Sequence, residues 1–279
     1  MSYKIVIDSC GELTEEMKKS GHFETASLTI SVDGYDIVDD ETFDQADFLK
    51  RVAASPDGPK SACPSPGTYQ SMFECDADHI YAVTLSAELS GSYNSAVLGR
   101  DLCLENDPEK KIYVFNSRSA SIGETLIGLK IQECEEAGME FEEVIRTVEE
   151  YISEQVTWFV LESLETLRKN GRLSFMKAVI ANALKIKPVM SSTPTGAIEQ
   201  LAQARGINRA LVKMVDYIVE KSADEKGKTV AISHCNCPER AQMVKDALAE
   251  RLPDHNFLVV DTAGISSMYA NDGGVIAVV

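Results

Sequence analysis

The chain has 279 residues, enough for one large or two ordinary domains, each with its own core. Its 44% hydrophobic and 25% charged residues are the balance of a globular protein and exclude a disordered one. With 27 basic against 44 acidic residues the net charge is −17, which argues against a broad surface for nucleic acid or anionic membrane. No apolar run reaches the ~18 residues of a membrane span, and the N-terminus lacks a signal peptide's apolar stretch. A cytoplasmic protein with no integral membrane segment and no nucleic-acid partner is expected.

Residues 3–8 read as a short apolar strand, followed by a helix over 13–20. Residues 26–32 alternate as one strand and continue through 35–38, a hairpin over Asp33-Gly34. A helix over 43–53 then runs into Ala54-Ser55-Pro56-Asp57-Gly58-Pro59. The next stretch, Lys60-Ser61-Ala62-Cys63-Pro64-Ser65-Pro66-Gly67-Thr68-Tyr69, is so dense in Pro, Gly and Ser that it predicts a turn-rich connection rather than a strand. Pro66 suits the first turn of a helix over 67–74.

Around residue 90 a strand-like Ile80-Tyr81-Ala82-Val83-Thr84-Leu85 passes through Ser86-Ala87-Glu88-Leu89-Ser90-Gly91-Ser92-Tyr93 into an apolar-periodic segment. The pattern predicts a helix opened by Ser90 as N-cap, with Gly91 allowing close approach of a ligand or another backbone. Unpaired N–H groups and the positive end of the dipole at a helix start favour an anion. Two hydroxyl-bearing loops, each leading into a helix, would form a neutral site for one carboxylate or phosphate. Neither is a G-x-x-x-x-G-K-[ST] phosphate loop or a G-x-G-x-x-G fingerprint.

Residues 112–115 are another buried strand, ending in the polar turn Asn116-Ser117-Arg118-Ser119. Apolar positions 122, 126 and 129, then 144, 148 and 152, recur at helical spacing. The β-α-β-α order predicts a largely parallel sheet with helices on both faces. We place a boundary near residue 155, giving domains 1–155 and 156–279. In the second, 157–161 is strand-like and 164–169 is a helical turn closed by Gly171. A helix over 174–184 with the stripe Phe175, Val179, Ile180 and Leu184 follows. Residues 187–190 and 197–202 read as paired strands around Pro194-Thr195-Gly196, and 207–218 as an amphipathic helix. Strand 229–233, helix 239–251 and strands 257–261 and 274–279 complete the chain.

Catalytic constellations mostly fail. There is no G-x-S-x-G elbow and no H-E-x-x-H. Seven cysteines in a chain without an export signal read as reduced thiols. His234-Cys235-Asn236-Cys237 resembles a metal site but has no partner cluster, so no metal is expected. Cys63 or Cys10 with His234 could form a thiol–imidazole pair, leaving a small acyl hydrolase or transferase using Ser90 or Cys63 as the alternative function. Glu162, Glu165 and Arg168 read as a solvated helix face. Arg172, just after Gly171, sits where a guanidinium could meet a carboxylate at a domain junction.

Taken together these segments resemble the DegV family of bacterial fatty-acid-binding proteins. Lys60-Ser61-Ala62-Cys63-Pro64-Ser65-Pro66 stands where the family has K-T-S-Q-P-S-P, and Leu85 to Tyr93 where it has L-S-S-x-L-S-G-T-Y. Residues 164–173 resemble L-x-x-L-x-K-G-G-R-I, and 184–189 resemble L-L-x-I-K-P-V-L. The stretch 204–211, Ile232-Ser233-His234 and Asp8-Ser9 also fit. The resemblance implies an α/β fold of two domains, a parallel sheet in the first and a mixed sheet in the second, with a lipid tunnel between them. It implies a non-catalytic carrier that needs no cofactor, holds one long-chain fatty acid, and presents its carboxylate to an ATP-dependent fatty acid kinase subunit. Position by position it makes Ser61, Ser90, Gly91, Ser92, Arg172 and Tyr269 the ligand-binding residues. Two departures stand out: Ser61-Ala62-Cys63 replaces Thr-Ser-Gln, and Tyr269 replaces a histidine, keeping a hydrogen-bond donor that cannot become cationic.

Overall fold

The computed structural model describes residues 2–173 and 185–279; the helix expected over 174–184 lies outside the described residues. The first half runs β1 (Tyr3–Asp8), α1 (Glu15–Ser20), β2 (Phe23–Ala26), β3 (Thr29–Val32), β4 (Tyr35–Val38), α2 (Gln45–Ala54) and β5 (Lys60–Ala62). It continues with α3 (Pro66–Phe73), β6 (His79–Thr84), α4 (Ser92–Asn106), β7 (Lys111–Asn116), α5 (Ile122–Glu136) and α6 (Phe141–Glu154). Strands β2-β1-β6-β7 form a parallel sheet in that order. Alternate residues of each strand feed two cores, as the period of a strand requires. Ile5, Ile7, Tyr81 and Val83 pack with α5 and α6, while Val6, Ile80 and Ala82 pack with α3 and α4.

The expected single strand over 26–32 is divided. Residues up to Ala26 pair with β1, and Thr29 onward starts a separate antiparallel sheet, β4-β3-β5. The chain changes sheet at Leu28, whose N–H is taken by Ser9 Oγ at 3.0 Å. Asp33 (φ 50°) and Gly34 (φ 78°) close the β3–β4 hairpin, the paired positive φ values that a two-residue turn needs. The Lys60–Ala62 stretch, expected to be a turn, is the short edge strand β5, with Ser61 opposite Ile30. Its partner lies about thirty residues away in sequence, so local composition could not reveal it.

The second half runs β8 (Thr157–Val160), α7 (Glu165–Lys169), β9 (Ile186–Ser192), β10 (Ile198–Arg205) and α8 (Ile207–Ser222). It ends with β11 (Thr229–His234), α9 (Pro238–Arg251), β12 (Asn256–Asp261), α10 (Gly264–Ala270) and β13 (Val275–Val278). The sheet order is β10-β9-β8-β13-β11-β12; only β11–β12 is parallel, so the sheet is mixed. Trp158, Val160, Val230 and Ile232 pack under α8 and α9 on one face. Phe159, Leu161, Ile276 and Val278 on the other face meet Ile122 and Leu126 of α5. Helix α5 is thus clamped between the two sheets, which is why Ile122 to Gly128 are all buried, Glu124 included.

Candidate functional site

The two hydroxyl loops reach one place because α3 and α4 pack backbone against backbone. A Cβ on Gly99 of α4 would lie 2.6 Å from Pro66 O and 2.7 Å from Tyr69 Cβ, so only glycine permits this approach. Helix α3 has Ser65 as its N-cap, accepting Thr68 N–H at 3.1 Å, with Pro66 in its first turn. Upstream of that cap, β5 fixes Ser61 by its register with β3. The second loop is a tight turn in which Leu89 and Ser90 both donate their N–H to Ser86 O, at 2.9 and 3.0 Å. The N-cap of α4 is Gly91, not Ser90 as expected. Ser90 lies one position earlier, and its Oγ accepts the Ser92 N–H at 3.2 Å, so it still satisfies one amide of the helix start. Gly91 is packed against Cys63: a Cβ there would be 3.3 Å from Cys63 Sγ.

From the other half come Arg172 and Tyr269. Arg172 is half-buried; Nε donates to Leu89 O at 3.0 Å and a second nitrogen donates to Asn170 O, so the guanidinium links the Ser90 loop to the segment after α7. Its Cζ lies 5.8 Å from the centre of the Tyr269 ring. The Tyr269 hydroxyl is 3.1 Å from Ser61 Oγ. Tyr269 rides on α10, an element the sequence reading did not find. The N-terminus of α10 is held by Asp39, whose two carboxylate oxygens accept Gly264 N–H at 2.7 Å and Ile265 N–H at 2.8 Å.

Ser61, Ser90, Arg172 and Tyr269 line one cavity of about 830 Å³ including its mouth. Its other walls are largely carbon: Leu28, Leu85 and Leu89 from the first half, and Phe159, Leu161, Leu167, Ile198 and Ile276 from the second. The loop Arg118–Ser121 closes one side, with Arg118 (φ 51°) and Ser121 (φ 58°) in the left-handed region that side chains avoid. Ser121 Oγ bridges the halves, 2.7 Å from Ser233 Oγ and donating to Glu12 Oε1 at 2.8 Å. The hairpin between β9 and β10 enters beside it: Gly196 (φ +88°) comes so near that a Cβ would lie 2.3 Å from Ser86 Oγ and 2.7 Å from Arg118 Cα. Gly91 and Ser92 do not line the cavity. Ser92 is fully buried behind the loop, donating to Asp8 Oδ2 at 2.5 Å and lying 2.7 Å from the Tyr69 hydroxyl.

Four buried carboxyls, Asp8, Glu12, Asp39 and Glu124, stand around the junction of the two halves. Burial pushes Glu12 up to about 7 and Asp39 up to about 6, against the hydrogen bonds that favour their ionised forms. Burial, reinforced by Asp8, holds Glu124 well above the ordinary carboxylate range.

The hydrolytic constellation is not brought together. His234 Nδ1 lies 3.4 Å from Asp261 Oδ1 and accepts the Cys237 N–H. Cys63 Sγ has Ser95 Oγ as its neighbour at 3.8 Å, and Cys10 Sγ accepts the Ser121 N–H at 3.3 Å in a setting whose burial raises the thiol. Among the described residues no group of three or more His, Cys, Asp or Glu side chains could hold a metal ion. Glu162 is not on a helix face; it pairs with Lys187 at 2.6 Å and Arg240 at 2.7 Å. Among the described residues no helix is long and apolar enough to cross a membrane.

Comparison with known proteins bears on the whole chain. The family model described as "uncharacterised protein, DegV family" matches residues 2–279. A DegV domain-containing protein of Streptococcus pneumoniae is 32% identical over 278 residues, covering 99% of this chain and 98% of the relative. The crystal structure of a DegV family protein from Ruminococcus gnavus, refined with vaccenic acid, is 54% identical and superposes with a TM-score of 0.96 over 100% of both chains. The fatty acid kinase (Fak) B3 protein of Streptococcus pneumoniae, loaded with linoleic acid, is 32% identical with a TM-score of 0.90, covering 100% of this chain and 99% of that one. A DegV family protein of Eubacterium eligens, loaded with heptadecanoic acid, is 28% identical with a TM-score of 0.89, over 99% of each chain. With its fold, its two hydroxyl loops and its full-length match in agreement, this chain belongs to the DegV family.

Proposed function

We propose that this protein binds one long-chain fatty acid and presents its carboxylate to an ATP-dependent kinase that forms the acyl-phosphate. The observation that carries this reading is a cavity with largely carbon walls, at one end of which Ser61 and Arg172 stand against Tyr269, with Ser90 in the loop that Arg172 holds. Hydroxyls and a guanidinium at that end suit a carboxylate, whereas Leu28, Leu85, Phe159, Leu161 and Ile276 suit an alkyl chain. Each buried methylene contributes about 0.8 kcal/mol, so the tail supplies most of the affinity and the polar end fixes orientation. The fatty acids carried by the related structures support the ligand class, and the likeness to the Fak B3 protein supports a kinase partner.

On this reading the chain is a carrier without catalysis of its own. We place the division between its two α/β domains near residue 155, between α6 and β8, and its action in the cytoplasm, where its seven free cysteines would stay reduced. Native mass spectrometry before and after denaturation tests the reading: about one acyl chain should leave each protein chain. Protein that is purified lipid-free and takes up neither palmitate nor oleate defeats it.

A further inference from the structure

We propose that Asp8 is the positioning residue of the carboxylate site: it fastens both ends of the loop that carries Ser90 and so sets where that hydroxyl meets the ligand. The inference rests on the fatty-acid reading above. Asp8 ends β1 and is fully buried. Its Oδ2 accepts the Leu85 N–H at 2.9 Å, where the loop leaves β6, and the Ser92 hydroxyl at 2.5 Å, where the loop enters α4. Its Oδ1 accepts the Cys10 N–H at 3.1 Å, which steadies the turn after β1. Between the two anchors the loop closes on itself through Ser90 N–H to Ser86 O. One carboxylate therefore grips residues 77 and 84 positions away and leaves Ser90 little freedom between them.

The proton arrangement fits. Ser92 spends its one hydroxyl hydrogen on Asp8, so at 2.7 Å it accepts from the Tyr69 hydroxyl, and the chain Tyr69–Ser92–Asp8 points its donors inward. Glu124 lies beside Asp8, completely buried and within hydrogen-bonding reach of it. Burial raises both carboxyls, but the donors from Ser92, Leu85 and Cys10 counter it at Asp8, whereas Asp8 itself pushes Glu124 further up, so Asp8 is the member of the pair that better holds the negative charge. An asparagine offers one acceptor oxygen and cannot keep all three. Ser92, counted from the sequence among the ligand contacts, becomes a support instead.

The test compares oleate with oleyl alcohol, which shares the tail and lacks the charge, on wild type, Asp8→Asn, Ser92→Ala and Ser92→Thr. Oleate affinity should fall about tenfold or more in Asp8→Asn while alcohol affinity changes little, since only the head-group bonds are misplaced. Ser92→Ala should move the same way by less, and Ser92→Thr, which keeps the hydroxyl, should recover it. Equal losses for both probes, or unchanged oleate binding, overturn the assignment. If Asp8→Asn does not fold, or the alcohol does not bind wild type, the Ser92 pair decides on oleate alone: no loss in Ser92→Ala, or no recovery in Ser92→Thr, overturns it. A wild type that binds no oleate strikes the fatty-acid reading itself, and this role with it.

Discussion

The hydroxyl of Ser61 lies 3.1 Å from the hydroxyl of Tyr269, across 208 positions of sequence. Ser61 is on the three-stranded sheet of the first half, and Tyr269 is near the end of α10 in the second. Asp39, just past β4 of that same sheet, caps α10 through Gly264 and Ile265. The sheet that carries one hydroxyl thus also holds the helix that carries the other. The polar residues of the cavity are contributed by both halves and tied to one another through that sheet.

Removing either serine hydroxyl should weaken fatty-acid binding. Ser61→Ala and Ser90→Ala are each expected to cost roughly 1–3 kcal/mol in affinity, the scale of a hydrogen bond to a charged group. Ser65→Ala instead removes the N-cap of α3 and should lower thermal stability by about 1 kcal/mol with a much smaller effect on binding. Titration calorimetry beside thermal melts separates the two. Equal affinity losses at all three positions would make the loops scaffolding only.

On the function proposed above, Arg172 acts on the carboxylate or on the kinase that receives it. Arg172→Ala should cut acyl-phosphate yield in a reaction containing a cognate kinase, ATP and loaded protein, with the protein still folded and its melting temperature lowered only by the loss of the two bonds to Leu89 O and Asn170 O. Arg172→Lys should restore only part, because an ammonium cannot reproduce the fork that reaches both Leu89 O and Asn170 O. Wild-type yield from Arg172→Ala, or phosphorylation of free fatty acid without this chain, would remove Arg172 from the reaction.

Much of the fold was legible because periodicity is local: the parallel β-α-β-α half and the Asp33-Gly34 hairpin follow from spacing and turn chemistry. What escaped was made by distant partners. β5 is a strand only because β3 offers it an edge, and α10 is a helix start only because Asp39, 225 positions earlier, accepts its first amide. Ser90 and Ser92 could not be told apart from sequence, since both are hydroxyls at a helix start. Their surroundings differ: Asp8 lies under Ser92 and the cavity beside Ser90.

Acidity should stabilise the protein over a defined range. Burial raises Asp39 from 3.8 to about 6 and Glu12 from 4.5 to about 7, so the folded state binds protons that the unfolded state has already lost. Stability from these groups is fully present below about pH 4 and declines as pH rises through about 6 and 7, by roughly 3 kcal/mol per group at most. Melts of ligand-free protein between pH 5 and 8 should show this slope, and Asp39→Asn and Glu12→Gln should each flatten it. An unchanged slope in both variants would mean that other groups set the pH response.

Gly99 offers a way to separate the two hydroxyl loops without touching either. A methyl there meets Pro66 O at 2.6 Å and Gln70 N at 3.0 Å, and because both are backbone atoms the helices themselves must move apart. Pro66 opens α3 directly after the Ser61 segment, and α4 begins just after Ser90, so the displacement is passed to both of these hydroxyls. Overpacking of this kind costs about 1–3 kcal/mol of stability. Gly99→Ala should therefore lower the melting temperature and also weaken oleate more than oleyl alcohol, since most of the tail walls (Phe159, Leu161, Leu167, Ile198 and Ile276) lie on the other half. A variant that melts earlier yet binds both probes as wild type does would show that the helix contact supports the fold and leaves the site untouched.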